Sequence, residues 1–406
     1  MFPDSTMSMR KRAAIEFSLH WESRYAIHND RSHIDKIDFW RDIFPGSMGD
    51  ALQKLDIGQS HRETFRPGEL VPDHDEKKLV VIKNSPHTPH FGNNEITLES
   101  GRYYPKGYFW KPLSSFPTDQ TPVRLVEVDG ASLVIDTNHP LAGYPLQVEA
   151  LVQHTSTIRA QRGGSLNDIA DMITSRGPGM QAPVDEIRYS FSSDTVLRRE
   201  DESDDRLYYQ SPRLVHHLDA TARSHVRSFY GKILANETRI FDLMSSWESH
   251  IPDSLGSCHV EGLGLNEREL EANGRLAGYV VHDLNQEPAI PFADNSFDAV
   301  VCTVSIEYLC RPLEVISELA RILVPGGILA LTISERWFPG KQVESWADLH
   351  PFERQGVVLG YLLDQGSFTE LQTESVRGYP RPSEDRYATS MSHSDSLYFI
   401  WARRTK

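Results

Sequence analysis

From Tyr209 to Lys406, short apolar runs alternate with segments whose apolar residues recur at helical spacing. A chain patterned this way buries extended runs under helices, and the arrangement that achieves it is a mostly parallel sheet. Arg239–Leu243 (RIFDL), His259–Leu263 (HVEGL), Gly278–His282 (GYVVH) and Asp298–Val304 (DAVVCTV) read as the first four strands. Leu313, Ile316, Leu319, Ala320 and Leu323 then mark a helix over Arg311–Leu323. Pro325–Gly326–Gly327 ends that helix and turns the chain into a fifth strand, Ile328–Ile333 (ILALTI). One further helix is expected over Val343–Gln365 and a closing strand over Ser396–Arg403 (SLYFIWAR). In open sheets of this kind ligands sit over the carboxyl ends of the strands, near the switch point. Asp242, Asn266 and Asp283 fall at or just beyond such ends, whereas Asp298 begins its strand and reads as structural.

The first half has another texture. Residues 12–152 are short alternating runs, among them Lys78–Ile82, Val123–Val128, Leu133–Asp136 and Leu146–Val152, cut by Gly, Pro, Asp and Asn turns. That pattern predicts a mainly β domain. The pattern decays over residues 153–208, which read as linker and peripheral loops, and residues 209–406 form the α/β domain. The 406 residues suit two or three domains. A net charge of -15, from 42 basic and 57 acidic residues, argues against a general nucleic-acid or anionic-membrane binder. No run approaches the roughly 18 apolar residues of a spanning helix, and Met1–Lys11 lacks the apolar core of a secretory signal. Cys258, Cys302 and Cys310 cannot build a disulfide framework, so a reducing cytoplasm is the expected compartment.

In the second half, VVHDL (280–284), PFADNSFDAVVCTVSIEYL (291–309), RPLEVISELARILVPGG (311–327) and the closing strand resemble the class I S-adenosylmethionine-dependent methyltransferases of the type 11 kind. The resemblance runs from about Arg239 to Arg404, with residues 209–238 as a lid or entry helix. It implies a Rossmann-like sheet with S-adenosyl-L-methionine as cofactor. It places Asp242, Met244, Ser245, Ser246, Asn266, Asp283, Leu284, Val304 and Ser305 around that cofactor. Asp242 falls at the methionine end, Asn266 where an acidic residue usually meets the ribose, and Asp283 where the adenine amino group is met. The chain departs from the family after strand one: a Gly-x-Gly loop is expected there, and the sequence has Asp242–Leu–Met–Ser–Ser–Trp247. This DLMSSW form resembles a subgroup of methyltransferase-like proteins. Ser245 and Ser246 are small enough for close approach, and their hydroxyls are candidate partners of the cofactor's amino-acid end. A dehydrogenase of the G-x-G-x-x-G type is disfavoured, because no glycine lies between Phe241 and Asp253.

A sulfonium methyl group is already activated, so the protein need mainly align nucleophile, methyl and sulfur. Hence no universal catalytic signature is expected. In Pro212–Arg–Leu–Val–His–His–Leu–Asp219, a run that also resembles the DLMSSW subgroup, His217 is the candidate base, since imidazole titrates near neutrality. Arg213 is the candidate partner of an acceptor carboxylate. The alternative is a capped helix in which His217 and Asp219 are structural. Arg336 and Trp337, after strand five, are further substrate-binding candidates. Tyr308, after strand four, is either a catalytic group or core packing.

Two N-terminal stretches, Pro45–Gly58 and Leu133–Val148 with its NHPLAG (138–143), resemble the FKBP-type peptidyl-prolyl isomerases of the SlyD kind. They frame residues 12–152, with an inserted segment near 78–135. The resemblance implies a central helix and a pocket for a proline-containing peptide or protein. Met48 stands where a ring is usual, the early Asp-rich turn is blurred at His28–Arg31, and the His-rich metal tail is absent. His87-x-x-His90 is the only close histidine pair and reads as loop, and no metal is expected. Tyr103–Trp110 (YYPKGYFW) either lines a peptide-binding face or fills the core of the insert.

The expected molecule is therefore multidomain, α+β followed by α/β, and transfers methyl groups to a small-molecule acceptor such as a thiol or amine. Its N-terminal domain binds a partner or substrate. Two alternatives stand beside it: a prolyl isomerase or chaperone-like binding protein with a degenerate methyltransferase half, and a protein methyltransferase.

Overall fold

Alternation of apolar side chains sets the N-terminal strands. In β1 (Met9–Glu22), Ala13, Ile15, Phe17, Leu19 and Trp21 are all buried, one face of a single strand. Leu146, Val148, Ala150 and Val152 of β10 (Leu146–Arg159) do the same from the partner strand. The computed structural model describes residues 9–83, 90–91, 94–95, 97–159, 165–183, 197–236 and 238–406. The chain divides into two units. The first comprises Met1–Arg24, His28–Met180 and Val376–Tyr379, and the second Tyr25–Ile27, Gln181–Ser375 and Pro380–Lys406.

In the first unit, β2 (Ile27–Asp38), β1, β10 and β3 (Ser60–Phe65) are neighbours in that order. Helix α1 (Met48–Leu52) is short, and Met48 and Leu52 anchor it in the core. A separate antiparallel sheet is inserted between β3 and β10. Its order is β4 (Leu79–Lys83), β9 (Ser132–Asp136), β8 (Pro122–Asp129) and β7 (Tyr103–Pro105). A two-residue ladder joins β5 (His90–Phe91) to β6 (Asn94–Glu95) within it. The insert has a core of its own: Tyr104, Phe109, Val123, Leu125, Leu133 and Ile135. Of the aromatic run, Tyr104 and Phe109 thus fill the insert's interior, while Trp110 is exposed. Its two ends meet, since Thr137 donates its N–H to the Lys78 carbonyl at 3.0 Å. Asn138, the first residue of NHPLAG, staples that junction: its Oδ1 accepts from Asp75 N at 3.0 Å, and its Nδ2 donates to Asp75 O at 3.1 Å and Asp136 Oδ1 at 2.8 Å. His87 of the His87-x-x-His90 pair lies outside the described residues, as does Arg162–Gly163–Gly164. The former linker region also carries order, for β10 extends to Arg159 and α2 (Ile169–Thr174) follows.

The second unit begins with α3 (Asp205–Tyr208) and α4 (Ala220–Ile233). Its sheet contains β11 (Arg239–Leu243), β12 (His259–Gly264), β13 (Gly278–Val281), β14 (Phe297–Thr303), β15 (Leu323–Ser334), β16 (Phe368–Arg377) and β17 (Leu397–Arg404). Their order is β13-β12-β11-β14-β15-β17-β16. Strands β11 to β15 are mutually parallel and β17 runs antiparallel to β15. Helices α5 (Glu267–Ala272), α6 (Pro312–Ile322), α7 (Glu344–Asp348) and α8 (Pro351–Gln365) complete it.

Two expectations about elements change. The helix expected over Val343–Gln365 is two helices, because Pro351 holds the first position of α8 and forces His350 out of the helical region. There His350 and Glu353 form a reciprocal cap. Strand β16 was not anticipated at all. Among the described residues no helix is long and apolar enough to cross a membrane.

Candidate active site

The strand order reverses between β11 and β14, and a cleft opens over the carboxyl ends of β11 to β14 there. It is partly open to solvent, and its lining runs from Asp242 at the end of β11 to Asp283 beyond β13 and Tyr308 beyond β14. Two non-glycine residues at these strand ends have left-handed backbone, Met244 (φ 53°) and Val304 (φ 47°), and both line the cleft. Such strain persists where the surrounding structure holds it, and it gathers at functional sites. Gly264 is required for another reason: a Cβ there would stand 2.3 Å from the Ser245 carbonyl oxygen. The last residue of β12 thus lets the DLMSSW turn lie against the sheet.

Asp242 is buried in the floor of the cleft. Burial pushes its carboxyl up to about 6, although hydrogen bonds from Ser245 and Ser249 and the charge of His250 oppose the shift. Ser245 Oγ donates to Asp242 Oδ2 at 2.6 Å, and Ser246 Oγ donates to Glu269 Oε2 at 2.6 Å. Both hydroxyls expected at the cofactor's amino-acid end therefore direct their protons to carboxylates of the protein and keep only acceptor capacity. Asn266 is also engaged. Its Oδ1 caps α5 by accepting from Glu269 N at 3.1 Å, and its Nδ2 donates to Tyr209 O at 2.7 Å and Gln210 O at 3.1 Å. An acidic side chain could not make the last two bonds, which explains the amide in this position. Asp283 differs: Oδ1 accepts from Asn285 N at 3.0 Å, while Oδ2 is buried with no hydrogen-bond partner among the described residues.

Residues 205–219 lie across the cleft as a strap. Beyond the Asn266 bonds, Arg213 N donates to Glu269 Oε1 at 2.7 Å and Trp247 Nε1 to Val215 O at 3.1 Å. His217 is half-buried and lines the cleft, its ring edge-on to Phe338 at 5.0 Å. Burial lowers its pKa; the Glu269 charge opposes this and Arg213, Arg336 and Arg386 add to it. The imidazole is accordingly neutral at pH 7, the form a base requires. Asp219, by contrast, caps α4 and is bound by Ser394, Asp395 N and Arg381.

Tyr308 lines the cleft, but its hydroxyl accepts the Phe338 N–H at 2.8 Å and burial raises its pKa well above the usual phenol range. It serves as wall and brace for Phe338. Leu284 and Ser305 line the cleft as well, with Ser305 Oγ donating to Thr303 O at 3.0 Å. Arg336 and Trp337 do not line it: the Arg336 guanidinium lies over Tyr387 and 3.6 Å from Asp395, and Trp337 stacks under Arg354. Phe338 occupies the cleft in their stead, with Tyr209, Trp247 and Glu269, none of which the sequence singled out as site residues. A last buried acid, Glu307, adjoins this wall. Neither of its oxygens has a partner in hydrogen-bonding geometry among the described residues, and burial pushes its carboxyl up to about 8.

Residues 251–331, from the turn after β11 into β15, match the family model described as Methyltransferase domain. That segment lies within the second unit. The chain is 34% identical over 96 residues to the ubiquinone/menaquinone biosynthesis C-methyltransferase UbiE of Roseobacter denitrificans, covering 23% of this chain and 36% of that protein. With the protein of the same description from a Ruegeria species it is 33% identical over 121 residues, 29% of this chain and 45% of the relative. The chain thus spans less than half the length of the curated relatives it matches. Among solved structures, a SAM-dependent methyltransferase from Aquifex aeolicus is 16% identical at a TM-score of 0.32, covering 50% of this chain and 97% of that one. S-adenosylmethionine is the cofactor that the match to a methyltransferase domain implies. The cleft fits it at two ends: Asp283 offers a buried, unspent acceptor oxygen, and Asp242 a buried carboxylate beneath the β11 turn. At the position where the ribose is usually met, both Nδ2 donors of Asn266 are used, and Oδ1, which caps α5, has one lone pair left for a hydroxyl. No group of three or more His, Cys, Asp or Glu side chains suited to a metal occurs among the described residues.

Proposed function

We propose that the second unit transfers the methyl group of S-adenosylmethionine to a small-molecule acceptor held beneath the strap. The observation that carries this is the unspent Asp283 Oδ2, buried in a cleft at the switch point and within the segment that matches the family model. Bound there, the cofactor supplies a methyl carbon whose bond to sulfur breaks as the bond to the acceptor forms, the electron pair staying on sulfur. Asp283 Oδ2 would accept from the adenine amino group and Asp242 would hold the cationic amino-acid end. Neutral His217 would take the acceptor's proton at a ring nitrogen and pass it to water. Tyr209, Tyr308 and Phe338 would exclude water from the reacting atoms. The relatives named for C-methylation widen the range of acceptor atoms from sulfur and nitrogen to carbon.

In the same reading the first unit, with its short buried helix and its stapled insert, is an FKBP/SlyD-like module that binds a proline-containing peptide or protein, with weak or lost isomerase activity. A second reading, a binding protein whose methyltransferase half is degenerate, draws on the hydroxyls of Ser245 and Ser246, whose protons go to carboxylates of the protein. Calorimetric titration with S-adenosylmethionine and S-adenosylhomocysteine separates the two. Micromolar binding, about -8 kcal/mol, is expected. Absence of both heat and thermal shift would sink the methyltransferase reading and direct attention to isomerase and chaperone assays.

A further inference from the structure

Resting on the methyl-transfer reading, we propose that the acceptor end of the cleft is built for a planar anion, an aryl carboxylate or similarly flat acid, gripped by the Arg213 guanidinium against the Phe338 ring. The protein carries a net charge of -15, and Arg213 is the one guanidinium among the described residues that line the cleft. Three guanidinium groups, Arg213, Arg336 and Arg386, act together on His217. The one carboxylate that opposes them, Glu269, already accepts from Arg213 N and Ser246 Oγ.

Arg213 itself is nearly unspent. Its guanidinium carbon lies 4.6 Å from the Tyr208 ring centroid, 4.9 Å from Phe338 and 5.4 Å from Tyr209. Among the described residues it has no carboxylate within ion-pair distance, and its side chain makes one long hydrogen bond, Nη2 to Tyr208 O at 3.4 Å. Guanidinium has five donors in one plane, so a fork remains for a carboxylate. Three rings surround the group, so a flat acid paired with it would lie between aromatic walls. Phe338 is a firm wall, because its backbone N–H is held by Tyr308 at 2.8 Å and its ring by His217 and Tyr308 at 5.0 and 5.9 Å. Rigid positioning of one charge and one ring is what lets a site tell a flat acid from its neutral isostere.

The test uses the full chain titrated with benzoate, benzamide and benzylamine, each with and without saturating S-adenosylhomocysteine. Benzoate is expected to bind at least tenfold tighter than benzamide, with benzylamine weaker than both. Arg213→Gln should weaken benzoate about ten- to a hundredfold, with Arg213→Lys between the two, while S-adenosylhomocysteine affinity changes little. Equal affinity for benzoate and benzamide would overturn the proposal, as would full benzoate affinity in a folded Arg213→Gln variant. Should that variant not fold, the benzoate-to-benzamide ratio on the unaltered chain decides alone. If S-adenosylhomocysteine gives no heat but benzoate keeps its preference, the methyl-transfer reading falls and the anion site stands. If the cofactor product binds and the preference is missing, the reverse holds.

Discussion

Asp242 shows how a single residue ties the cleft to pH. With burial holding its carboxyl at about 6, it is mostly ionised at pH 7 and mostly protonated at pH 5. A carboxylate that holds the amino-acid end of the cofactor loses that hold with its charge. Affinity for S-adenosylmethionine is therefore expected to fall as pH drops through 6, and Asp242→Asn to weaken binding at pH 7 by about tenfold or more while flattening that dependence. Titrations at pH 5, 6, 7 and 8 on both proteins check it; a variant with unchanged affinity refutes the assignment. At this scale the sequence is legible where position in a strand decides the matter. Asp242 and Asp283 were placed by following strands to their carboxyl ends. Phe338 was not, since Arg336, Trp337 and Phe338 follow β15 in irregular backbone, and no periodicity says which of three successive side chains turns inward. The partners of the Ser245 and Ser246 hydroxyls, Asp242 and Glu269, are not legible in the sequence, because they depend on how the turn meets α5.

Among the elements, the parallel strands were legible because strands covered on both faces read as continuous apolar runs, as in DAVVCTV and ILALTI. Strand β16 reads FTELQTESVR, whose acidic and amide residues hide it; Glu374 lies buried in it all the same, with Lys232 Nζ 3.4 Å away. The strap was legible as a segment near the mouth but not as a fastened one, since the bonds from Asn266 to Tyr209 and Gln210 join residues 57 and 56 positions apart. Asn266→Asp removes both donors and sets a carboxylate against two carbonyl oxygens, a cost of about 1–3 kcal/mol. Amides of residues 209–215 are expected to exchange hydrogen at least several-fold faster in that variant, and those of β14 and β15 at an unchanged rate. Equal exchange across the strap would show that Asn266 does not fasten it.

At the scale of the molecule, two outcomes follow from how stability is distributed. The insert in the first unit has its own core and joins the unit where Lys78 and Thr137 are hydrogen-bonded. Replacing residues 79–136 by a short turn is thus expected to leave a protein that unfolds cooperatively, since closing so short a loop costs little. A molten product without a sharp transition would mean that the insert's core supports the strands below it. The second outcome concerns Glu307, whose carboxyl is raised from 4.5 to about 8 in the folded chain. Between those values the native state holds a proton that the unfolded state has lost, so this residue makes stability decline as pH rises, with the full penalty present above 8. Glu307→Gln is expected to reduce that decline by roughly 1–3 kcal/mol between pH 5 and 8, read from denaturant midpoints at each pH. An identical slope in the variant would exclude Glu307 as its source.

The strap's fastening also sets a clock. Four hydrogen bonds hold residues 209–215, from Asn266 twice, Glu269 and Trp247. At a net 0.5–1.5 kcal/mol each, releasing all of them costs about 2–6 kcal/mol, so the doorway stands open for a few per cent of the time or less. Under the proposed methyl transfer, a ligand too bulky for the open part of the cleft would pass only in that minority population, and turnover would follow the opening of a latch as much as the speed of any bond made behind it.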